Sequence, residues 1–108
     1  MPTPLPGRRV RGSRTGRPIM ALLDLLGRRW VLRILYELRD GPLKFRALQA
    51  RCEGMSPSVL SQRLKELVEA GVLASEGDGA YGFTPRGERL VRLLRPLSAW
   101  AKEWARKK

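Results

Sequence analysis

The run from Met55 to Gly71 constrains this chain most. Ser56 is a strong helix N-cap, Pro57 suits the first helical position, and Gly71 suits the left-handed residue that closes a helix. Between them Leu60, Leu64 and Leu67 recur at i, i+4 and i+7, which predicts an amphipathic helix. On a wheel at about 100° per residue, Ser58, Gln62 and Lys65 fall almost opposite the leucines, with Ser61 beside them. Arg63 lies on the flank, and the acids Glu66 and Glu69 come later in the helix. Any surface helix has a solvated face of this kind, so its neighbours decide what the face is for.

Those neighbours follow a definite order. Pro18 opens a helix whose Ile19, Leu22, Leu23 and Leu26 repeat at helical spacing up to Gly27. A second helix is expected from about Arg28, with Trp30, Val31, Ile34, Leu35 and Leu38 on its apolar side, and Asp40-Gly41-Pro42 ends it. Leu43-Lys44-Phe45 suits only a turn or a brief strand. Arg46 to Cys52 reads as a short helix with Ala47 and Leu48 inward, broken by Glu53-Gly54. After the Met55–Gly71 helix, Val72 to Ser75 and Tyr81 to Phe83 read as two strands around an Asp78-Gly79 two-residue turn. Thr84-Pro85 repeats the cap-plus-proline signal, and Leu90, Val91, Leu93 and Leu94 form the apolar face of the helix it opens. Pro96 predicts a break at Arg95 and a last helix to about Arg106.

The expected fold is therefore mainly α with a small β-hairpin: a winged helix-turn-helix with added N- and C-terminal helices that suit dimerisation. In that layout one helix lies across the DNA backbone and the next enters the major groove. Residues 18–108 would form this domain. Residues 1–17 hold Pro2, Pro4, Pro6, Gly7, Gly12 and Gly16 with five arginines and no acid, the composition of a flexible basic tail.

Charge supports the same reading. Across 108 residues, 22 Lys and Arg face 10 Asp and Glu, a net charge of +12 that draws a protein to polyanions. The chain has no His and a single Cys, Cys52, which excludes disulfides, Cys/His metal sites and His-dependent catalytic triads. Its acids are scattered, so no enzyme, cofactor or metal is expected. No stretch reaches the roughly 18 apolar residues of a membrane span. Arg8-Arg9 is followed by a short apolar run carrying Asp24 with no small-residue cleavage site, which argues against an export signal and for the cytoplasm.

The front of the Met55–Gly71 helix then acquires roles. Gln62 pairs well with adenine, Ser58 and Ser61 with either edge type, and Lys65 with guanine or a phosphate. Ser56 opens a helix end suited to phosphate, and Lys44, Arg46, Arg63 and Arg86 are the other phosphate candidates. Leu97, Trp100, Ala101 and Trp104 form a stripe on the last helix. It suits either packing on the chain's own core or a two-fold contact shared with Leu22 and Leu23, and the size of the patch favours the second. Trp30, Ile34, Tyr36 and Phe45 read as core, and Cys52 as a small buried apolar residue. The expected partners are double-stranded DNA and a second copy of the chain, with no membrane and with a small-molecule effector left open. A non-specific architectural DNA- or RNA-binding protein is the alternative.

Four segments also carry a family resemblance. Leu23 to Trp30, LDLLGRRW, resembles the LD-hydrophobic-hydrophobic-GGKW opening of the HxlR family of bacterial winged-helix regulators. Leu38 to Phe45, LRDGPLKF, resembles its L-x-x-GPxRF segment. Met55 to Leu67, MSPSVLSQRLKEL, is similar to its ISPKMLTQRLREL helix, and Tyr81 to Gly87, YGFTPRG, to its YxLTPxG exit from the wing. The four motifs stand in the family's order, and the resemblance covers residues 17–104. It implies a dimeric transcription factor of the MarR-like winged-helix kind. Two features depart from the pattern. Family members that sense oxidants or electrophiles carry a Cys just before the proline that precedes the first helix; Arg17 stands there in this chain. The wing tip, Glu76-Gly77-Asp78-Gly79, is short and acidic where family wings are longer and basic, which argues against strong wing contacts. The arginine-rich tail is expected to compensate in an adjacent minor groove.

Overall fold

The computed structural model describes residues 3–7 and 16–106. Among them the order is α1 (Pro18–Gly27), α2 (Val31–Glu37), β1 (Leu43–Lys44), α3 (Phe45–Arg51), α4 (Pro57–Glu69), β2 (Leu73–Ser75), β3 (Ala80–Phe83), α5 (Pro85–Leu94) and α6 (Pro96–Arg106). A three-stranded antiparallel sheet of order β1-β3-β2 holds the hairpin against the strand before α3. This is a winged helix-turn-helix, mainly α, with α1 and α6 added at the ends.

Local chemistry sets the boundaries of α4. The Ser56 hydroxyl accepts the Val59 N–H at 3.2 Å, satisfying one of the donors a helix start leaves open. At the far end, Gly71 takes φ +80° and donates to the Val68 carbonyl, while Val72 donates to Leu67. That pair of bonds is a Schellman closure, and buried Val72 and Leu67 supply its apolar contact. The chain therefore leaves α4 in a fixed direction, straight into β2.

The core lies between α2, α3, α4 and the sheet. Ile34, Leu35, Leu38, Leu48, Cys52, Leu60, Leu64, Leu67 and Leu73 are all fully buried in it. Thr84 ties the hairpin exit to the α4 exit: its hydroxyl donates to the Gly71 carbonyl at 2.5 Å and accepts the Gly87 N–H at 3.0 Å, capping α5. This brings α5 so close to the start of β2 that a Cβ at Gly87 would lie 2.0 Å from the Val72 carbonyl oxygen.

Several expectations are corrected. The second helix starts at Val31, not at Arg28. Trp30 precedes it at φ 78°, the one non-glycine among the described residues in the left-handed region, a conformation that costs about 1–2 kcal/mol. The hairpin loop is longer than the Asp78-Gly79 signal implied. Glu76 pairs with the Ala80 carbonyl, leaving Gly77, Asp78 and Gly79 outside the ladder, with Gly79 left-handed at φ +88°. Ala47 is exposed; Leu48, with half-buried Phe45 beside it, is what α3 sends to the core. Tyr36 is 47% exposed, with the Arg39 guanidinium 3.9 Å above its ring. The interruption at Pro96 is present, yet Arg95 keeps helical angles, so it alone separates α5 from α6.

Of the expected tail, residues 1–2 and 8–15 lie outside the described residues. Within 3–7, Pro4 is buried against α1 and α5, the Thr3 hydroxyl donates to the Glu69 carboxylate, and the Gly7 N–H donates to the Gly16 carbonyl.

Gly87→Ala is expected to lower stability by about 2 kcal/mol or more, because backbone must move to admit the methyl. Urea unfolding would measure it, with Gly77→Ala, which faces open space, as the near-neutral reference.

Candidate nucleic-acid interface

Helix α3, the turn Cys52–Ser56 and α4 form the helix-turn-helix. The turn is fixed from both sides: the Met55 N–H reaches the Cys52 carbonyl, and the Arg33 guanidinium of α2 donates to the Arg51 carbonyl at 2.7 Å. Gly54, at φ +76°, permits the sharp reversal. Met55 is buried beneath it, so the N-terminus of α4 is anchored in the core while its opening residues stay in solvent.

Ser56, Ser58, Ser61, Gln62 and Lys65 are all exposed, as their spacing predicts, and the first turn of α4 contains no acid. Lys44 and Arg46 at the start of α3, Arg51 at its end, and Lys65 on α4 are exposed and make no salt bridge among the described residues. Lys44 pairs in register with Ala80, which puts its cation at the base of the wing. The wing tip presents Glu76 and Asp78 to solvent, and the Asp78 carboxylate is held by the Ala80 N–H at 3.1 Å. The start of α4 is thus polar and free of acids, and Arg51 ends the helix that precedes it.

Two expected phosphate ligands lie elsewhere. Arg63 turns inward: its NH1 donates to Glu66 Oε1 at 2.9 Å and its Nε to the Arg29 carbonyl at 3.0 Å. Its guanidinium is committed to the fold, so it leaves the phosphate set. Arg86 lies against Gly71 and shares a cleft with Pro4 and Leu22, at the end of α4 remote from Ser56, roughly 20 Å away along a helix of this length. It is not brought together with the other candidates. Leu22 is likewise half-buried in that cleft, whereas Leu23 is exposed.

The residue that periodicity undervalued is Glu66. It lies late in α4, off the leucine stripe, and yet its side chain is 2% exposed. Arg28 NH1 reaches its Oε2 at 2.7 Å, and Gln62 Nε2 reaches the same oxygen at 3.1 Å. Arg28 also pairs with Asp24 at 3.5 Å. Burial pushes the Glu66 carboxyl up, but the Gln62 amide and the Arg63 and Arg28 guanidiniums outweigh it, and the net shift is downward. The i+3 and i+4 spacing of Arg63 and Gln62 to Glu66 was a readable signal. Arg28, thirty-eight residues away, was not.

Cys52 is fully buried. Burial pushes its thiol up, with Arg33 opposing and Glu37 adding to the rise, so it stays protonated at neutral pH. Among the described residues no cluster of His, Cys, Asp or Glu could hold a metal, and no helix is long and apolar enough to cross a membrane.

A winged helix-turn-helix whose second helix keeps an exposed polar face, free of acids at its start, is the architecture of a DNA-binding protein. Residues 25–108 match the HxlR-like helix-turn-helix family, and the chain belongs to that family. It is similar to the HTH-type transcriptional regulator YvaP of Bacillus subtilis (strain 168), 35% identical over 88 residues that cover 76% of this chain and 82% of YvaP. It is also similar to YodB, an HTH-type transcriptional regulator of the same organism, 34% identical over 75% of this chain and 78% of YodB. Among solved structures, quinone-bound YodB superposes with a TM-score of 0.71 over 79% of this chain and 96% of that one, at 29% identity. A possible HxlR family transcriptional factor from Thermoplasma volcanium GSS1 shares the fold, with a TM-score of 0.72 over 91% of this chain and 88% of that one, at 24% identity. The chain is thus a DNA-binding transcriptional regulator, not an enzyme.

Because the Glu66 carboxyl is held below its ordinary value, its contribution to stability is complete above the unfolded-state value near 4.5 and is lost as pH falls through the folded one. Glu66→Gln is expected to cost about 3 kcal/mol at pH 7. The gap from wild type should narrow on acidification, which thermal unfolding across pH 3–7 would test on the order of one pH unit at a time.

Proposed function

We propose that this regulator binds DNA as a homodimer and reads a roughly palindromic operator with the N-terminal half of α4. The observation that carries the reading is the exposure of Ser58, Ser61, Gln62 and Lys65 on one side of α4, a helix with no acid in its first turn, in a chain whose Lys44 and Arg46 are also exposed and make no salt bridge among the described residues. Ser58, Ser61, Gln62 and Lys65 would meet base edges in the major groove. Lys44, Arg46 and the Ser56 helix start would hold phosphates on either side. The short acidic wing adds little, and the arginines of residues 8–17 supply further backbone contact. As a DNA-binding transcriptional regulator it would work where the DNA is, in the cytoplasm.

A single short helix reads few base pairs, so useful specificity calls for a second copy about one DNA turn away. The apolar surface for that pairing is at hand. Helix α6 contributes no buried residue, and Trp100 and Trp104, stacked at 5.5 Å, are 59% and 66% exposed. Leu97 and Ala101 continue the stripe, and Ile19 and Leu23 expose a parallel one on α1. Stripes of this size on terminal helices suit a two-fold contact.

In-vitro selection followed by binding titrations tests the DNA reading. Gln62→Ala and Ser58→Ala are expected to relax base preference. Lys44→Ala should instead weaken all sequences alike and reduce the salt slope by about 1, and deleting residues 2–17 should reduce it further. A selection that returns no motif would point to a non-specific nucleic-acid binder instead. For the pairing, Trp100→Ala with Trp104→Ala is expected to give a folded monomer in sedimentation at protein concentrations where the wild type is a dimer; an unchanged sedimentation coefficient would contradict it.

A further inference from the structure

Gln62 and Glu66 stand one helical turn apart on α4, the first exposed and the second buried. An ionised carboxylate can only accept hydrogen bonds, so the Gln62 amide must turn its nitrogen toward Glu66 and its carbonyl oxygen away. Glu66 cannot swing to follow a moving partner. Its Oε2 is shared between Arg28 and Gln62, its Oε1 receives Arg63, and Arg63 is itself tied to the Arg29 carbonyl. The carboxylate is therefore clamped from three directions. The Gln62 side chain inherits that rigidity although it lies at the surface. Its carbonyl oxygen and its second amide hydrogen have no partner among the described residues.

We propose that Glu66 is a positioning residue for base recognition, fixing the order in which Gln62 presents acceptor and donor and thereby setting the base it prefers. The inference rests on the reading that α4 enters the major groove. A free glutamine can rotate its amide and offer the NH2 group to the two acceptors of guanine, or the oxygen to an amino group. The held amide gives the oxygen outward and keeps one N–H beside it. Adenine answers both, through its N6 amino group and its N7. Cytosine answers only the oxygen, and the acceptors of guanine and thymine face the oxygen unfavourably. Holding the amide before DNA arrives also removes part of the ordering cost of binding.

Selection from random duplexes with wild type, Gln62→Ala, Glu66→Ala and the double variant tests this. Wild type should prefer adenine at one position of each half-site. Gln62→Ala should lower that preference roughly tenfold, Glu66→Ala should lower it at the same position while other positions keep theirs, and the double variant should lose no more than Gln62→Ala alone. Glu66→Ala retaining the adenine preference, or weakening every position evenly as a purely structural lesion would, overturns the proposal. An unchanged profile for Gln62→Ala overturns it together with the base-readout reading, so the two failures are distinguishable. Because Glu66→Ala leaves two guanidiniums without their carboxylate, a measurement on unmodified protein stands beside it. The Gln62 side-chain amide resonances, assigned by their absence from Gln62→Ala, should be displaced from free-glutamine positions, with a heteronuclear NOE close to that of the α4 backbone. Resonances at free-glutamine positions with a low NOE overturn the proposal.

Discussion

A buried carboxylate is costly unless it is paired and fully hydrogen-bonded, and Glu66 meets both conditions only because three elements converge on it. Arg28 comes from the turn between α1 and α2, Arg63 and Gln62 come from α4, and Asp24 of α1 supports Arg28 from behind. Arg63 then reaches on to the Arg29 carbonyl, next to left-handed Trp30. The polar clamp thus fixes where α4 lies relative to the α1–α2 turn, a job that leucine packing alone would do with less angular definition. The strained backbone at Trp30 is held in place by the same contacts. Removing the carboxylate would leave two guanidiniums without their acceptor and free the orientation of Gln62.

Much of this was readable because it is local. Ser56-Pro57 and Thr84-Pro85 mark helix starts within a few residues of themselves, Gly71 marks a helix end, and the leucine spacing of α4 names its buried face. The errors fall where a distant partner decides. Arg63 and Glu66 look like solvated charge until Arg28 and Arg29 are brought against them. Arg86 looks like a clamp beside the wing until the Gly71 closure and the Thr84 cap carry it to the far end of α4. The hairpin loop gained a residue because its register is set at the other end, where Thr84 donates to the Val72 carbonyl, and not by the Asp78-Gly79 pair. Ala47 was placed inward, yet the seven-residue α3 is anchored in the core by Leu48 and half-buried Phe45 and leaves Ala47 in solvent.

The division of labour along the chain follows from these contacts. The middle of the sequence builds a closed core around α2, α3 and α4 and lifts one polar helix start into solvent. The two ends leave apolar stripes uncovered on α1 and α6. Cys52 offers no exposed thiol: it is buried beneath the helix-turn-helix, and burial pushes its thiol up. The quinone-bound state belongs to the relative YodB. In this protein the α1–α2 turn is joined to α4 through the Arg28–Glu66 ion pair.

Affinity cleavage tests the central claim most directly. Ser61→Cys offers an exposed thiol on the front of α4 while Cys52 stays buried, so an iron chelate can be attached at one site. On DNA recovered by selection, the account predicts two discrete patches of strand scission about 10 base pairs apart, offset as attack from the major groove requires. Diffuse scission along the fragment, or scission offset as attack from the minor groove requires, would contradict it.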